Sequence, residues 1–196
     1  GTNFQEVIND SIFWGWQLTI EALPVDITNF DDVYAFGKKV DVLTIEIENV
    51  NIEALEKLEA EGVTVIPKPS AIKIIKNKIK QKGFYQVNEM PTSDFVVTHT
   101  KESLVHHHTF LPAVHKLGEG GYDGKGVQII KTTDDFEKGF DAPSVLEKMV
   151  AIDKELAMIV AIAQDGTATL YPPAEMIFDP VLNLLDYQIS PARSRR

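Results

Sequence analysis

The chain has 196 residues, 44% of them hydrophobic and 24% charged, which is typical of a globular protein of one or two domains. Its formal net charge of −10 argues against a broad surface for nucleic acid or anionic membranes. It contains no cysteine, which excludes disulfides, thiolate metal sites and a cysteine nucleophile. The apolar stretch 11–25 includes Gln17 and Glu21 and is too short to span a bilayer, so we expect a cytoplasmic protein.

Residues 41–66 show a β-α-β pattern. The run 41–46 is apolar and rich in β-branched residues, which predicts a buried strand. Asn51 predicts a helix cap, and the helix is expected to end near Glu61. Residues 63–66 predict a second strand. Two strands joined by a helix form a parallel sheet with a right-handed crossover.

Three polar residues follow the first predicted strand: Glu46, Glu48 and Asn49. They lie at the carboxyl end of that strand, the edge at which open α/β sheets bind ligands. We therefore expect them to contact a small-molecule substrate.

A second helix and a linker complete this first region. Ser70 predicts the helix cap, and the helix alternates isoleucines with five lysines, among them Lys78. The dipeptide Met90-Pro91 follows, so we place a domain boundary near Glu89. The predicted organisation is an α/β domain over 1–89 and a second domain over 90–196.

The second region is rich in predicted strands. Asp165 and Gly166 predict a turn between apolar runs, a strong hairpin signal. The pattern predicts an antiparallel sheet, and with the first region it makes the fold class α/β with α+β character. The predicted strands cover 94–99, 112–116, 127–131, 144–150, 155–163, 167–171, 175–178 and 182–187.

The segment 120–126 reads Gly-Gly-Tyr-Asp-Gly-Lys-Gly between two predicted strands. Glycines permit positive φ and bring backbone amides close to a ligand, and successive amides bind anions. The chain has no arginine before Arg193, so an earlier phosphate site must use backbone amides and lysines such as Lys125. A mobile hairpin turn is the alternative. The segment is longer than a hairpin needs, which favours phosphate binding.

Two lysines outside the loop are candidates for the same site. Lys116 ends the strand that leads into the loop, on the side where a phosphate would lie. A solvated lysine at a strand end is an equally good interpretation. Lys78 belongs to a lysine-rich helix, and its residue type does not distinguish it from the other lysines of a solvated face.

Residues 147–155 read Glu-Lys-Met-Val-Ala-Ile-Asp-Lys-Glu, where a predicted strand leaves its sheet. A strand at this point exposes a backbone amide and a carbonyl that can pair with an adenine edge, while Met149 packs on the ring. A carboxylate several residues later could accept ribose hydroxyls. An ordinary sheet strand with charged ends is the alternative.

Three adjacent histidines, His106, His107 and His108, invite a metal-site interpretation. Adjacent side chains diverge, and no acidic ligand pattern lies nearby. We expect an exposed turn here.

Taken in order, these segments resemble the ATP-grasp family of N5-carboxyaminoimidazole ribonucleotide synthetases, enzymes of purine synthesis. The resemblance runs from about residue 31 to residue 192 and implies an ATP-grasp fold with a partial pre-ATP-grasp domain. It also implies ATP and Mg²⁺ as cofactors, and a homodimer. The segments that carry the resemblance are 43–50, 112–116, 120–126, 147–155, 171–175 and 190–192.

The resemblance implies roles for particular residues. Lys78 and Lys116 match basic residues that reach the ATP phosphates, and Glu155 matches the carboxylate on the ribose. The loop closes over the triphosphate, and three of its residues also face the second substrate as candidate catalytic residues: Tyr122, Asp123 and Lys125. The remaining implied nucleotide contacts are Gly121, Gly124, Gly126, Val127, Glu147, Lys148, Met149 and Val150.

The family transfers the γ-phosphoryl group of ATP to bicarbonate, and the resulting carboxyphosphate carboxylates the amino group of aminoimidazole ribonucleotide. This chain lacks the family's glycine-rich turn in residues 1–30, and we expect the acidic Mg²⁺ ligands outside the chain. We therefore expect a partial or degenerate chain. The alternatives are another ATP-grasp ligase with a different acceptor, and a nucleotide-binding module without turnover.

Overall fold

The computed structural model of the chain describes residues 23, 25–121, 126–163, 165–179 and 184–193. Helices and a parallel strand pair occupy the first region, and antiparallel sheets occupy the second. The predicted combination of α/β and α+β character is confirmed. No helix in these ranges is both long enough and apolar enough to cross a membrane.

The predicted β-α-β unit is present, and within the described part of the chain the helix Phe30–Gly37 precedes it. Strands β1 and β2 pair in parallel, with Leu43 opposite Val65. The helix between them is capped by Asn51, whose Oδ1 accepts a hydrogen bond from the Ala54 amide at 2.9 Å. The elements are α1 (Phe30–Gly37), β1 (Val42–Thr44), α2 (Ile52–Ala60) and β2 (Thr64–Ile66).

An apolar core joins these four elements. Leu55 and Leu58 on α2 are fully buried, because the 3.6-residue period places both on the face that packs against the strands and α1. Gly62 ends the helix with φ +94°, a conformation that glycine adopts readily. The buried members of this core are Val33, Leu43, Val50, Ala54, Leu55, Leu58, Val65 and Ile72.

The prediction of one helix beginning at Ser70 is wrong: the segment forms α3 (Pro69–Ile75) and α4 (Lys78–Val87). Pro69 occupies the first turn of α3, where its fixed φ suits a helix start, so Ser70 lies inside the helix. Asn77 separates the two helices. Its Oδ1 accepts from the Lys80 amide at 2.9 Å and thereby starts α4.

A four-stranded antiparallel sheet follows, in the order β3-β6-β4-β5. The two predicted strands that flank the glycine-rich loop are both present, and they pair with each other in antiparallel register, with His115 opposite Gln128. A small apolar cluster of Leu104, Ala113 and Leu146 packs on this sheet. The strands are β3 (Phe95–Thr98), β4 (Ala113–Leu117), β5 (Val127–Ile130) and β6 (Ser144–Lys148).

The predicted single strand over 155–163 is wrong, because two short strands in different sheets replace it. Strand β7 pairs with β10, whereas β8 forms a hairpin with β9. The predicted hairpin turn is confirmed: Gly166 has φ +85° and its amide donates to the Ala163 carbonyl at 3.0 Å. The strands are β7 (Glu155–Ala157), β8 (Val160–Ile162), β9 (Ala168–Leu170), β10 (Ala174–Phe178) and β11 (Leu185–Ile189).

The three histidines lie in a 3₁₀ helix, Glu102–Phe110, and not in a turn as expected. His106 and His108 are exposed, in agreement with the expected exposure, and His107 is half-buried.

Candidate functional site: a cleft lined by lysines and glycines

A cleft of about 100 Å³ opens where the beginning of α4 meets the end of β4 and the beginning of β5. Lys78 of α4 and Lys116 of β4 border the cleft from two sides, and from the sequence only the family resemblance placed these two lysines at one site. It is lined by Lys76, Lys78, Lys116, Leu117, Gly118, Glu119, Gly120, Gly121, Gly126 and Val127.

Two hydrogen bonds fix the helix to the sheet at this cleft. The Lys78 amide donates to the Gly118 carbonyl at 2.7 Å, and Asn77 Nδ2 donates to Glu119 Oε1 at 2.6 Å. Gly118 also donates its amide to Pro143 at 2.9 Å, and a Cβ at this position would lie 2.8 Å from the same carbonyl oxygen. Glycine is therefore required where the strand meets the helix.

Gly121 and Gly126 form a neck at the base of the glycine-rich loop. A Cβ built on Gly121 would lie 2.9 Å from the Gly126 Cα, and one built on Gly126 would clash with the Gly121 Cα. Glycine alone permits this approach, because real Cβ atoms require more distance. The amide of Leu117 donates to the Gly126 carbonyl at 2.9 Å and continues the β4–β5 ladder into the neck. The predicted loop residues Tyr122, Asp123, Gly124 and Lys125 lie outside the described residues.

Lysines give the cleft a positive potential. Lys78 and Lys116 are brought together here, as the resemblance implies, and Lys76 is a third lysine that the sequence analysis did not single out. Lys76 Nζ donates to the Val50 carbonyl at 3.3 Å. Glu119 is the one carboxylate among the described lining residues, so three lysines and one glutamate give the lining a net positive charge. The amino end of α4 adds partial positive charge, and such a site favours anions.

Glu147 holds one of these lysines from inside the protein. Its Oε2 lies 3.1 Å from Lys116 Nζ, 3.1 Å from Ser93 Oγ and 3.3 Å from Lys82 Nζ. Burial raises the pKa of Glu147, but the charges and hydrogen bonds of Lys116 and Lys82 outweigh burial and lower the pKa overall. The carboxylate is therefore ionised at neutral pH, and its side chain is only 12% exposed.

The predicted adenine edge continues from Glu147. The amide of Lys148 donates to Asp94 at 2.8 Å and that of Met149 donates to Pro112 at 3.0 Å, so both amides remain in sheet-like pairing. Val150 follows, and its amide is the first in this segment without a backbone partner among the described residues. Glu155 is exposed in β7, opposite Met176.

The three predicted substrate residues, Glu46, Glu48 and Asn49, lie in an exposed loop directly after β1. Glu46 borders a second cavity of about 420 Å³ at the carboxyl end of this strand. Apolar side chains form most of the lining of that cavity, including Leu43 and Val50. The loop position at the sheet edge agrees with the expectation, and contact with a substrate stays a prediction.

The described residues contain no cluster of three or more His, Cys, Asp or Glu side chains that could hold a metal ion. Among the described residues that line the lysine-rich cleft, Glu119 is the one carboxylate, so this lining does not form a Mg²⁺ site by itself.

Comparison with known proteins agrees with this geometry. The model of the ATP-grasp domain matches residues 83–194, which is more than half of the chain. The chain belongs to the ATP-grasp family. The model of the ribonucleotide synthetase preATP-grasp domain matches residues 16–76, ahead of the ATP-grasp region.

Curated relatives carry related names. A phosphoribosylaminoimidazole carboxylase of Candida glabrata is 33% identical over 158 residues, which cover 76% of this chain and 28% of the relative. An N5-carboxyaminoimidazole ribonucleotide synthase of Synechococcus elongatus is 33% identical over 67% of this ATP-grasp chain and 35% of its own length. The chain thus spans about a third of the length of these curated relatives.

Solved structures show the same fold. The N5-carboxyaminoimidazole ribonucleotide synthetase of Thermotoga maritima superposes with a TM-score of 0.73 at 32% identity, over 86% of this chain and 43% of that one. A carboxyaminoimidazole ribonucleotide synthase of Aspergillus clavatus, complexed with ATP, gives a TM-score of 0.77 at 28% identity over 85% and 45% of the two chains.

Proposed function

We propose that this ATP-grasp chain carries the nucleotide-binding part of a ligase that converts 5-aminoimidazole ribonucleotide, bicarbonate and ATP into N5-carboxyaminoimidazole ribonucleotide. The relatives named above support the choice of reaction. The cleft carries the proposal, because it joins Lys78, Lys116 and the Gly121–Gly126 neck around a space that suits an anion.

The chemistry would proceed in two transfers. A bicarbonate oxygen attacks the γ-phosphorus of ATP and the bond to ADP breaks, which gives carboxyphosphate. The 5-amino nitrogen then attacks the carboxyl carbon, inorganic phosphate leaves, and the nitrogen loses a proton.

The chain contributes position and charge to these transfers. Lys78 and Lys116 would neutralise the phosphate oxygens, and the glycine-rich loop would cover them, with Tyr122, Asp123 and Lys125 toward the second substrate. The amide of Val150 would meet the adenine edge, and Glu155 would accept the ribose hydroxyls. On the preATP-grasp side, the loop after β1 would contact the ribonucleotide.

The first test is ATP binding by calorimetry. Replacing Lys116 by Ala removes a charge-assisted hydrogen bond, so we expect ATP affinity to fall by about 10- to 100-fold. Lys131→Ala is the matched control, because Lys131 is an exposed lysine at the end of the neighbouring strand β5. Equal ATP affinity in Lys116→Ala and the unchanged protein would reject the proposed site.

A second candidate is a nucleotide-binding module without turnover, because the cleft supports the binding of an anion and does not by itself imply phosphoryl transfer. Release of ADP from ATP separates the two. The ligase predicts ADP release that depends on both bicarbonate and aminoimidazole ribonucleotide. The module predicts thermal stabilisation by ATP with no ADP formed at any acceptor concentration, and ADP release that does not depend on the ribonucleotide would indicate another acceptor.

The proposal includes a cytoplasmic homodimer. Light scattering coupled to size-exclusion chromatography measures the assembly directly, and a mass of one chain, 21.9 kDa, would reject the dimer.

A further inference from the structure

A buried lysine lies behind the nucleotide cleft, and the proposed function gives it no role. Lys82 is on α4, one turn beyond Lys78, and is 6% exposed. Fully buried lysines are rare unless their charge is paired, since leaving water costs the ammonium several kcal/mol. The position therefore needs an explanation beyond the lysine-rich pattern of its helix.

Every donor of the Lys82 ammonium is engaged inside the protein. Nζ donates to Thr92 Oγ1 at 2.6 Å and to Ser93 Oγ at 3.1 Å, and lies 3.3 Å from Glu147 Oε2. It also lies 5.6 Å from the centre of the Phe95 ring. An ammonium has three donors, so Lys82 has none left for a ligand.

Lys116 differs from Lys82 although both meet the same carboxylate oxygen. Its side chain is 32% exposed and borders the cleft, and Glu147 Oε2 is its hydrogen-bond acceptor among the described side chains. Two ammonium groups and one carboxylate leave a net charge of +1 in this cluster. The surplus charge faces the cleft through Lys116, because Lys82 is enclosed.

We propose that Lys82 is a positioning residue of the nucleotide site: it fixes the Glu147 carboxylate, and that carboxylate holds the Lys116 ammonium at the edge of the cleft. Ser93 completes the arrangement by donating to Oε2 at 3.1 Å. The inference rests on the proposed function, since it assigns the cluster to ATP binding. Lys82 itself touches no substrate.

The first experiment compares ATP affinity, by calorimetry, in Lys82→Met and Lys80→Met. Both remove one lysine from α4, but Lys80 is exposed and outside the cluster. We expect Lys82→Met to weaken ATP binding by about tenfold, as loss of a supporting partner does elsewhere. Lys80→Met should bind ATP like the unchanged protein.

A double-mutant cycle with Glu147→Gln distinguishes positioning from general support of the fold. If Lys82 acts through Glu147, replacing Lys82 should change ATP affinity by less than about twofold in the Glu147→Gln background, because the carboxylate through which it acts is already absent. An unchanged tenfold loss in that background would overturn the proposal.

The pH profile of ATP affinity supplies a readout that a structural role would not move. The charged groups that face Glu147 are Lys82 from α4 and Lys116 from β4, and Ser93 adds a hydroxyl. Removing Lys82 takes away one of the two cations that keep the Glu147 carboxylate ionised. The loss of ATP affinity on the acid side of the profile should therefore begin at a higher pH than in the unchanged protein. If ATP affinity falls at the same pH in Lys82→Met and in the unchanged protein, the proposal is contradicted.

A milder variant covers the case in which Lys82→Met does not fold. Ser93→Ala removes one donor to Glu147 and keeps both ammonium groups, and we expect a loss of about threefold in ATP affinity. Full affinity in this variant would overturn the proposal. If the unchanged protein does not bind ATP, the proposed function fails too; if it binds and the variants match it, only the role of Lys82 is rejected.

Discussion

The two regions of the molecule are built on different principles. The β-α-β unit and its flanking helices bury apolar side chains almost exclusively, centred on Leu55 and Leu58. The region of α4 and the four-stranded sheet has a smaller apolar cluster, and it contains the buried polar and charged side chains found among the described residues: Lys82, Thr98, His115 and Ser144.

This difference separates stability from positioning. Burial of apolar area is non-directional and mainly stabilises the fold, whereas a satisfied polar network fixes atoms in one arrangement. Strand β4 illustrates the second case, since His115 and Lys116 are adjacent on it and point to opposite faces of the sheet. One is enclosed by Thr98 and Phe140, and the other reaches the cleft.

The largest expected effect concerns the apolar region. Replacing the fully buried Leu55 by Ala should reduce the free energy of unfolding by about 2–5 kcal/mol, because it removes apolar contacts and leaves a cavity. Urea unfolding measures this loss. Ile75→Ala is the control: Ile75 is 41% exposed, so its replacement should reduce the free energy of unfolding much less. Comparable losses at both positions would contradict the proposed core.

A second change tests the neck of the loop. Gly126→Ala places a Cβ against the Gly121 backbone, so the β4–β5 connection must shift, and we expect ATP affinity to fall by about tenfold or more. Gly83→Ala is the matched control: no heavy atom lies within 4 Å of a Cβ there, and alanine favours the helix. Retained ATP affinity in Gly126→Ala would show that the neck is not needed.

A third prediction concerns pH and the buried His115. Its Nδ1 accepts from the Phe140 amide at 3.2 Å and its Nε2 lies 2.9 Å from Thr98 Oγ1, an arrangement that requires a neutral ring. Burial lowers the pKa of His115 below 6.5, so the unfolded chain takes up a proton first. Stability should therefore fall as the pH drops below 6.5.

Urea unfolding measured across this pH range tests that prediction in two variants. His115→Gln should flatten the fall in stability, whereas His108→Gln should leave it as in the unchanged protein, since His108 is exposed. The same slope in all three proteins would exclude His115 as the source. Glu147 titrates at lower pH, because its pKa is lowered from 4.5, and its contribution is lost only as the pH falls below that value.

The smallest expected effect is at the surface of the first region. Lys73 Nζ lies 2.5 Å from Glu56 Oε1, and both side chains are more than 40% exposed. Exposed ion pairs contribute little, so Lys73→Ala should change the unfolding free energy by about 1 kcal/mol or less. A loss as large as that of Leu55→Ala would remove the distinction between the core and its surface.

Much of the fold followed from local signals in the sequence. The Asn51 cap, the alternating apolar faces and the Asp165-Gly166 turn each depend on residues within a few positions of one another. They predicted the parallel pair and the β8–β9 hairpin. The break at Asn77 was missed because asparagine inside a lysine-rich run has no strong signal until its side chain is seen to cap α4.

The site was less predictable because its parts are distant in sequence. Lys82 and Glu147 are 65 positions apart, and the lysine pattern on α4 gave no reason to choose Lys82 over Lys80. His115 was missed for the same reason: its partners come from β3 and from the segment after β5. Lys78 and Lys116 were singled out through the family resemblance, and their residue types alone left them ambiguous.

The side chain of Asn77 links two positions of the sequence into a matched pair. Its Oδ1 must face the Lys80 amide to cap α4, which turns Nδ2 toward Glu119 Oε1. Asn77→Asp would preserve the cap but oppose two carboxylates, while Glu119→Gln in the same chain would relieve that repulsion. Relatives with an aspartate at the first position should thus tend to lack a carboxylate at the second, and Asn77→Asp alone would leave the Lys78–Gly118 backbone hydrogen bond as the remaining one of the two that join the helix end to the strand.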